Sequence, residues 1–164
     1  MTRPHHQNPA LVAVVAVGGM VGTAARYALS TAVPTGRGWP VATFTANVVG
    51  SFVLGVLLES LVRRGPESSR GRLVRLGVGT GVLGGFTTFS SLALDTERLL
   101  SDGSVLGAAS YAVASLGCGF LVCLGGVVMA ARHHARRIER ADRGRRASAS
   151  AESVRPLPGE GSRS

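Results

Sequence analysis

Four long apolar runs, each able to cross a bilayer as a helix, constrain this chain more than any other feature: about Ala10–Val33, Val41–Val62, Leu76–Leu94 and Ser104–Ala131. A hydrocarbon core of about 30 Å takes roughly 20 apolar residues in helical form. A soluble domain with four such runs would have no polar helix face to give to water. The sequence therefore predicts an all-α membrane protein of four transmembrane helices in one domain, residues 10–131. A polar start, 1–9, precedes it and a basic segment, 132–164, follows. The first run comes after Arg3 and so has the flank of a signal peptide. It is long for that role and three more spans follow, so it reads as a retained helix.

The placement of charge supports the membrane reading. All 18 basic residues are Arg, and the net charge is +9. Such an excess would suit a nucleic-acid partner if it formed a face. Instead five Arg lie between Arg63 and Arg75 and nine lie after residue 131, flanking the apolar runs. No nucleic acid is expected as a partner. With Arg3, one side of the membrane carries fifteen Arg; the other carries Arg37 and Arg98, with Arg26 near that end of the first span. The positive-inside rule then places both termini in the cytoplasm of a multi-pass plasma-membrane protein. Arg132 to Arg140 reads as a basic helical extension, and the Arg-, Ser- and Gly-rich stretch from about Arg143 is expected to be disordered.

Turn signals separate the runs. Pro34-Thr35-Gly36-Arg37-Gly38 follows the first, with Trp39 where interfacial aromatics gather; Arg63-Arg64-Gly65-Pro66 ends the second, and Asp102-Gly103 precedes the fourth. Cys118 and Cys123 point to different faces of one helix and read as small packing residues. The pairs His5–His6 and His133–His134 lie outside the apolar runs with no Cys nearby, a weak case for metal binding. No Ser-His-Asp set, paired intramembrane carboxylates or H-E-x-x-H motif occurs, so the chain is not expected to be an enzyme.

The third run is the least ordinary. Gly77, Gly81 and Gly85 recur every four residues and form a small-residue stripe for close helix packing. Thr87-Thr88-Phe89-Ser90-Ser91 follows at once. Unwound backbone at membrane depth is tolerated only where it is buried in protein or lines a water-filled cavity. Freed carbonyls there suit a cation, and a new helix start suits an anion. Residue types alone leave open a second reading, a close helix crossing with threonines bonded to their own carbonyls. Gly79-Thr80-Gly81-Val82-Leu83-Gly84 fits a dinucleotide fingerprint in letters only, since no strand precedes it. In the second run Thr43, Asn47 and Ser51 form a polar stripe one turn apart, and in the fourth Tyr111 and Ser115 are likewise one turn apart. Asp95 and Glu97 are expected near a helix end, where charge costs least.

Three stretches, in order, resemble the CrcB/Fluc family of fluoride channels. They are Gly18-Gly19-Met20-Val21-Gly22-Thr23-Ala24-Ala25-Arg26-Tyr27, Thr43-Phe44-Thr45-Ala46-Asn47-Val48-Val49-Gly50-Ser51-Phe52 and Gly84-Gly85-Phe86-Thr87-Thr88-Phe89-Ser90. The resemblance spans about residues 10–131 and implies an antiparallel dimer with two pores, the third helix broken mid-membrane at the dimer axis. It implies a structural, non-transported Na⁺ held there by backbone carbonyls, at positions matching Gly84 and Thr87. It implies Asn47, Thr43, Phe89, Tyr111 and Ser115 as fluoride-lining residues and Arg26 in a vestibule. The implied activity is passive fluoride export that lowers cytoplasmic fluoride.

Two features depart from the family pattern. Leu92 stands where a second pore phenylalanine is expected, and the Arg bias fixes one orientation where family homodimers insert both ways. The second departure suggests pairing with an oppositely oriented paralogous subunit. A small coupled transporter, or a structural subunit whose basic tail binds anionic lipid or nucleic acid, are the competing functions.

Overall fold

The computed structural model describes residues 8–33, 38–66 and 68–153, with side chains as far as residue 146. The expected turn at residues 34–37, Arg3, His5–His6 and the last residues of the tail lie outside the described residues. All elements among the described residues are helical. Helix α1 spans Pro9–Ala32. It starts where the Asn8 side chain accepts the Ala10 N–H at 3.1 Å, with proline at the first turn, where no intrahelical N–H bond is lost. It ends at extended Val33, the residue before a proline. Helix α2 spans Val41–Val62 and stops at Gly65, whose φ of +85° suits glycine and whose successor is proline.

The third apolar run forms no single helix. Helix α3 (Ser69–Val74) passes into a π-helical stretch, Arg75–Leu83, and then one α turn, α4 (Gly84–Phe86). Thr87 and Thr88 are extended, and α5 begins at Phe89 and runs to Ser101. This corrects the expected end near Leu94, and it puts Asp95 in the middle of α5, while Glu97 does lie near its end, one turn before Ser101. The turn at Asp102-Gly103 closes α5 by a Schellman motif: Ser104 N–H reaches Leu99 C=O and Gly103 N–H reaches Leu100 C=O, both at 2.9 Å, with Gly103 at φ +75°. Helix α6 then spans Val105–Ser153. Helix therefore continues through Arg143–Ser153, where disorder was expected.

Among the described residues, three helices have the length and apolar composition to cross a membrane: α1, α2 and the Val105–Arg146 part of α6. Close glycine contacts show how they pack. Gly18 and Gly22 of α1 lie against the backbone of Gly77, Gly81 and Val82, and a Cβ on Gly85 would sit 2.5 Å from the Gly19 carbonyl. The small-residue stripe is thus the seam with α1, and the paired positions rise together, so the two segments run parallel. Helices α2 and α6 also run parallel, Trp39 touching Tyr111 at one end and Gly55 meeting the Cys123 carbonyl further along. The two pairs meet in antiparallel register, Thr43 opposite Asp95 and Asn47 opposite Thr88.

Burial is unusual for a chain this apolar. Tyr111 is the only large side chain that is fully buried among the described residues, while Leu106, Val113, Phe89, Phe120 and Met20 face outward. An exposed apolar surface of this extent suits lipid or another subunit rather than water.

Candidate functional site

The site is the two-residue gap between α4 and α5. A helix interrupted here orphans four carbonyls and four N–H groups, and each needs a partner. Asn47 of α2 supplies two: its Nδ2 donates to the Thr88 carbonyl at 3.0 Å and its Oδ1 accepts the Thr88 N–H at 2.8 Å. Thr88 is also the N-cap of α5, its Oγ1 accepting the Ser91 N–H at 3.1 Å. Arg26 of α1 spans the gap from the other side. Its Nε donates to the Gly85 carbonyl and its Nη1 to Ser91 Oγ, both at 3.3 Å, and Thr23 Oγ1 reaches the same Gly85 carbonyl at 3.5 Å.

These bonds decide which carbonyls are left over. In an unbroken helix the Thr88 N–H would cap Gly84 C=O and the Ser91 N–H would cap Thr87 C=O. Both donors are diverted, the first to Asn47 and the second to Thr88 Oγ1. Gly85 C=O has the Arg26 guanidinium instead. The gap therefore releases the oxygens of Gly84 and Thr87 from the helical ladder, and with them that of Phe86, whose ladder donor, the Ser90 N–H, lies beyond the gap in the first turn of α5. The Thr87 hydroxyl turns back onto Leu83 C=O at 2.9 Å, and its methyl group fills the space beside Gly50, where any Cβ would collide with it.

A cavity of about 330 Å³ opens beside the gap, lined on its polar side by Asn47, Ser51, Thr87, Thr88 and Ser115 and on its apolar side by residues including Phe89, Leu92 and Phe120. Phe89 is 76 % exposed, whereas Leu92 is buried. A second cavity of about 230 Å³ lies toward the C-terminal end of α1 and is lined by Thr23, Arg26, Tyr27, Ser30, Thr43 and Ser91 among others. Thr43 donates to Asp95 Oδ2 at 2.7 Å, and Asp95 also faces Arg98 at 3.5 Å. The hydroxyls of Tyr111 and Ser115 are buried with no hydrogen-bond partner among the described residues. Tyr111 is packed edge-on by Trp39, ring centroids 5.6 Å apart, while Ser115 opens on the larger cavity. A buried hydroxyl left unpaired is costly, and that of Ser115, which opens on the larger cavity, can donate to an anion.

The structure thus brings Asn47, Phe89 and Ser115 to one cavity together with Thr87 and Gly84, and places Arg26 and Thr43 on the other. Tyr111 lines neither. Sequence reasoning missed Asp95, Ser91 and Phe120. The first two follow Thr88 on one face of α5, a signal visible only once α5 is known to extend to Ser101. Phe120 carries no local motif; only the packing of α6 brings it to the cavity. Among the described residues no group of His, Cys, Asp and Glu is arranged to hold a metal.

Fold and site together define an all-helical, multi-pass membrane protein with a hydrogen-bonded gap in one helix and polar cavities beside it. Residues 13–127 match the family described as CrcB-like protein, camphor resistance, and the chain belongs to that family. It is 48% identical over 134 residues to fluoride-specific ion channel FluC 2 of Leifsonia xyli, covering 82% of this chain and 92% of the relative. It is 42% identical to fluoride-specific ion channel FluC 1 of Cutibacterium acnes, covering 76% and 87%, and 43% identical to fluoride-specific ion channel FluC of Caulobacter vibrioides, covering 71% and 92%.

Proposed function

We propose that this chain is a subunit of a passive, fluoride-selective channel that exports fluoride and so lowers its cytoplasmic concentration. The observation that carries this reading is the gap at Thr87–Thr88, clamped by Asn47 and Arg26 and bordered by a cavity whose polar wall is rich in N–H and O–H donors. Fluoride is small and strongly hydrated, so a pore must replace its lost water with donors. At the larger cavity Asn47 and Ser115 provide them, and the positive edge of the Phe89 ring can face the anion; the one O–H of Thr43 is committed to Asp95, and Tyr111 packs behind this wall. The names of the relatives support the choice of fluoride as permeant.

In this proposal the segments on either side of the gap form the third of four membrane crossings, and both termini are cytoplasmic. The gap faces a second subunit in an antiparallel, dual-pore dimer. The residues fit a structural Na⁺ at that junction: the carbonyls of Gly84 and Thr87, freed from the helical ladder, are hard oxygen donors. They would hold the ion, whose charge favours an anion nearby. Arg26 would draw anions into the vestibule, and the Arg bias supports a partner of opposite orientation, a paralogous subunit.

Fluoride efflux from proteoliposomes, followed with a fluoride electrode and with chloride as control, tests the function. The expected result is rapid fluoride-selective efflux that needs no second ion gradient and falls on Phe89→Ala. Efflux that requires a co-driving ion would make the protein a coupled transporter. Absence of efflux with and without a co-expressed partner would leave a structural subunit. Efflux from an antiparallel dimer of the purified chain alone would refute the paralogous partner.

A further inference from the structure

The contacts that set the register of the helices also fix one level across the molecule. Val14 touches Gly77, which brings the start of α1 level with the last turn of α3, and Gly126 lies against Phe52 and Val56, which brings the end of α2 level with the residues just before Arg132. At that one level α2 ends in Arg63-Arg64, α3 carries Arg70 and Arg72, and α6 changes from apolar residues to Arg132-His133. Helices that change from apolar to basic in register mark a membrane surface.

A cavity of about 580 Å³ opens there, between the end of α2 and α3. It is lined by Arg64, Arg70, Arg75 and Ser68 and by the apolar side chains of Leu61, Val62 and Val74. Arg64 and Arg70 are exposed, and Val62 is 72 % exposed. Glu59, on the same helix end, is paired with Arg63. The size falls within the usual range for small-ligand sites, about 300–1,000 Å³. Guanidinium groups bind phosphate through two parallel N–H bonds, and an apolar rim beside them accommodates the first carbons of an acyl chain.

We propose that this cavity binds the headgroup of an anionic phospholipid, Arg64 and Arg70 gripping the phosphate and Val62 and Val74 meeting the lipid chains. Charge complementarity selects the occupant: basic groups at a membrane surface attract acidic lipid, and a zwitterionic headgroup brings its own cation to repel them. The site is independent of what the channel conducts and rests only on the chain's placement in a bilayer.

The test is binding of phosphatidylglycerol to the full chain in phosphatidylcholine nanodiscs, measured by native mass spectrometry alongside thermal melting. For the wild type, bound phosphatidylglycerol and a raised Tm are expected. R64Q/R70Q removes two exposed charges and is expected to bind about 25-fold more weakly. Its Tm in pure phosphatidylcholine should equal the wild type's, which separates loss of a site from loss of fold. R137Q/R140Q, in the exposed extension of α6, removes the same charge away from the cavity and should keep wild-type affinity. Equal weakening by both pairs would reduce the effect to net charge and overturn the site, as would unchanged affinity in R64Q/R70Q. Equal stabilisation by free inorganic phosphate would also overturn it, since a lipid would then not be what the cavity selects.

Discussion

Replacing Asn47 by alanine tests whether the gap is held from outside or holds itself. The substitution removes both partners of Thr88, the acceptor of its N–H at 2.8 Å and the donor to its C=O at 3.0 Å. A buried backbone group left unpaired costs about 1–3 kcal/mol. Thr88 is only half-buried and borders a cavity that admits water, so the low end applies to each group, or about 2 kcal/mol in total. At 1.4 kcal/mol per tenfold, the population with the gap rearranged should rise about 25-fold. Hydrogen exchange in lipid nanodiscs reads this directly: amides of residues 84–91 should exchange faster by about that factor, while amides in the middle of α1 and α6 should not. Thr43→Val is the control, since it removes the bond to Asp95 on the same stripe of α2 without touching Thr88. Wild-type exchange across residues 84–91 in Asn47→Ala would refute the clamp, even if fluoride efflux fell.

Two further perturbations probe the other supports. Gly22→Ala drives a Cβ into the Val82 carbonyl and within 2.9 Å of the Phe86 nitrogen, so α1 and the π-helical stretch must separate. A loss of about 1–3 kcal/mol is expected as a lowered melting temperature in detergent, whereas Gly19→Ala, which meets nothing within 4 Å, should melt as wild type. Arg26→Lys keeps the charge but loses the fork that reaches both Gly85 C=O and Ser91, so exchange should quicken at Gly85 and Ser91 while the positive charge near Thr43 remains. Efflux that tracks the exchange rate rather than the retained charge would identify Arg26 as a support first and an attractor second.

The membrane class was legible because apolar length needs no tertiary information: α1 and α2 match the first two runs closely. The gap's chemistry was legible in part. Thr87 and Thr88 stood out as polar residues after a glycine-rich run, but residue types did not tell a gap from a helix with back-bonded threonines. In the structure Thr87 does bond back to Leu83 and Thr88 does not. That difference comes from Asn47, forty-one residues away in sequence, which no local rule connects to Thr88. The extent of α5 was misjudged for a related reason. Asp95 suggests a helix end if its charge is unpaired, and it lies well inside one because Thr43 and Arg98 meet it.

Asn47 has one more donor than the clamp uses. Its amide carries two N–H bonds, of which one goes to the Thr88 carbonyl, while its oxygen takes the Thr88 N–H. The second N–H is geometrically fixed by the first two bonds, and Asn47 lines the larger cavity together with Ser51 and Ser115. A free asparagine side chain would lose rotamer entropy on meeting an ion; this one has already lost it to the fold. Ser115 is placed alike: its buried hydroxyl meets no hydrogen-bond partner among the described residues and opens on the same cavity. Donors that are desolvated and immobile before the ion arrives favour the species that gains most from short, strong hydrogen bonds. Small, strongly hydrated fluoride gains more than chloride on that ground, so selectivity should fall together with rigidity at Thr88, and a variant that loosens the gap should lose fluoride preference before it loses conduction.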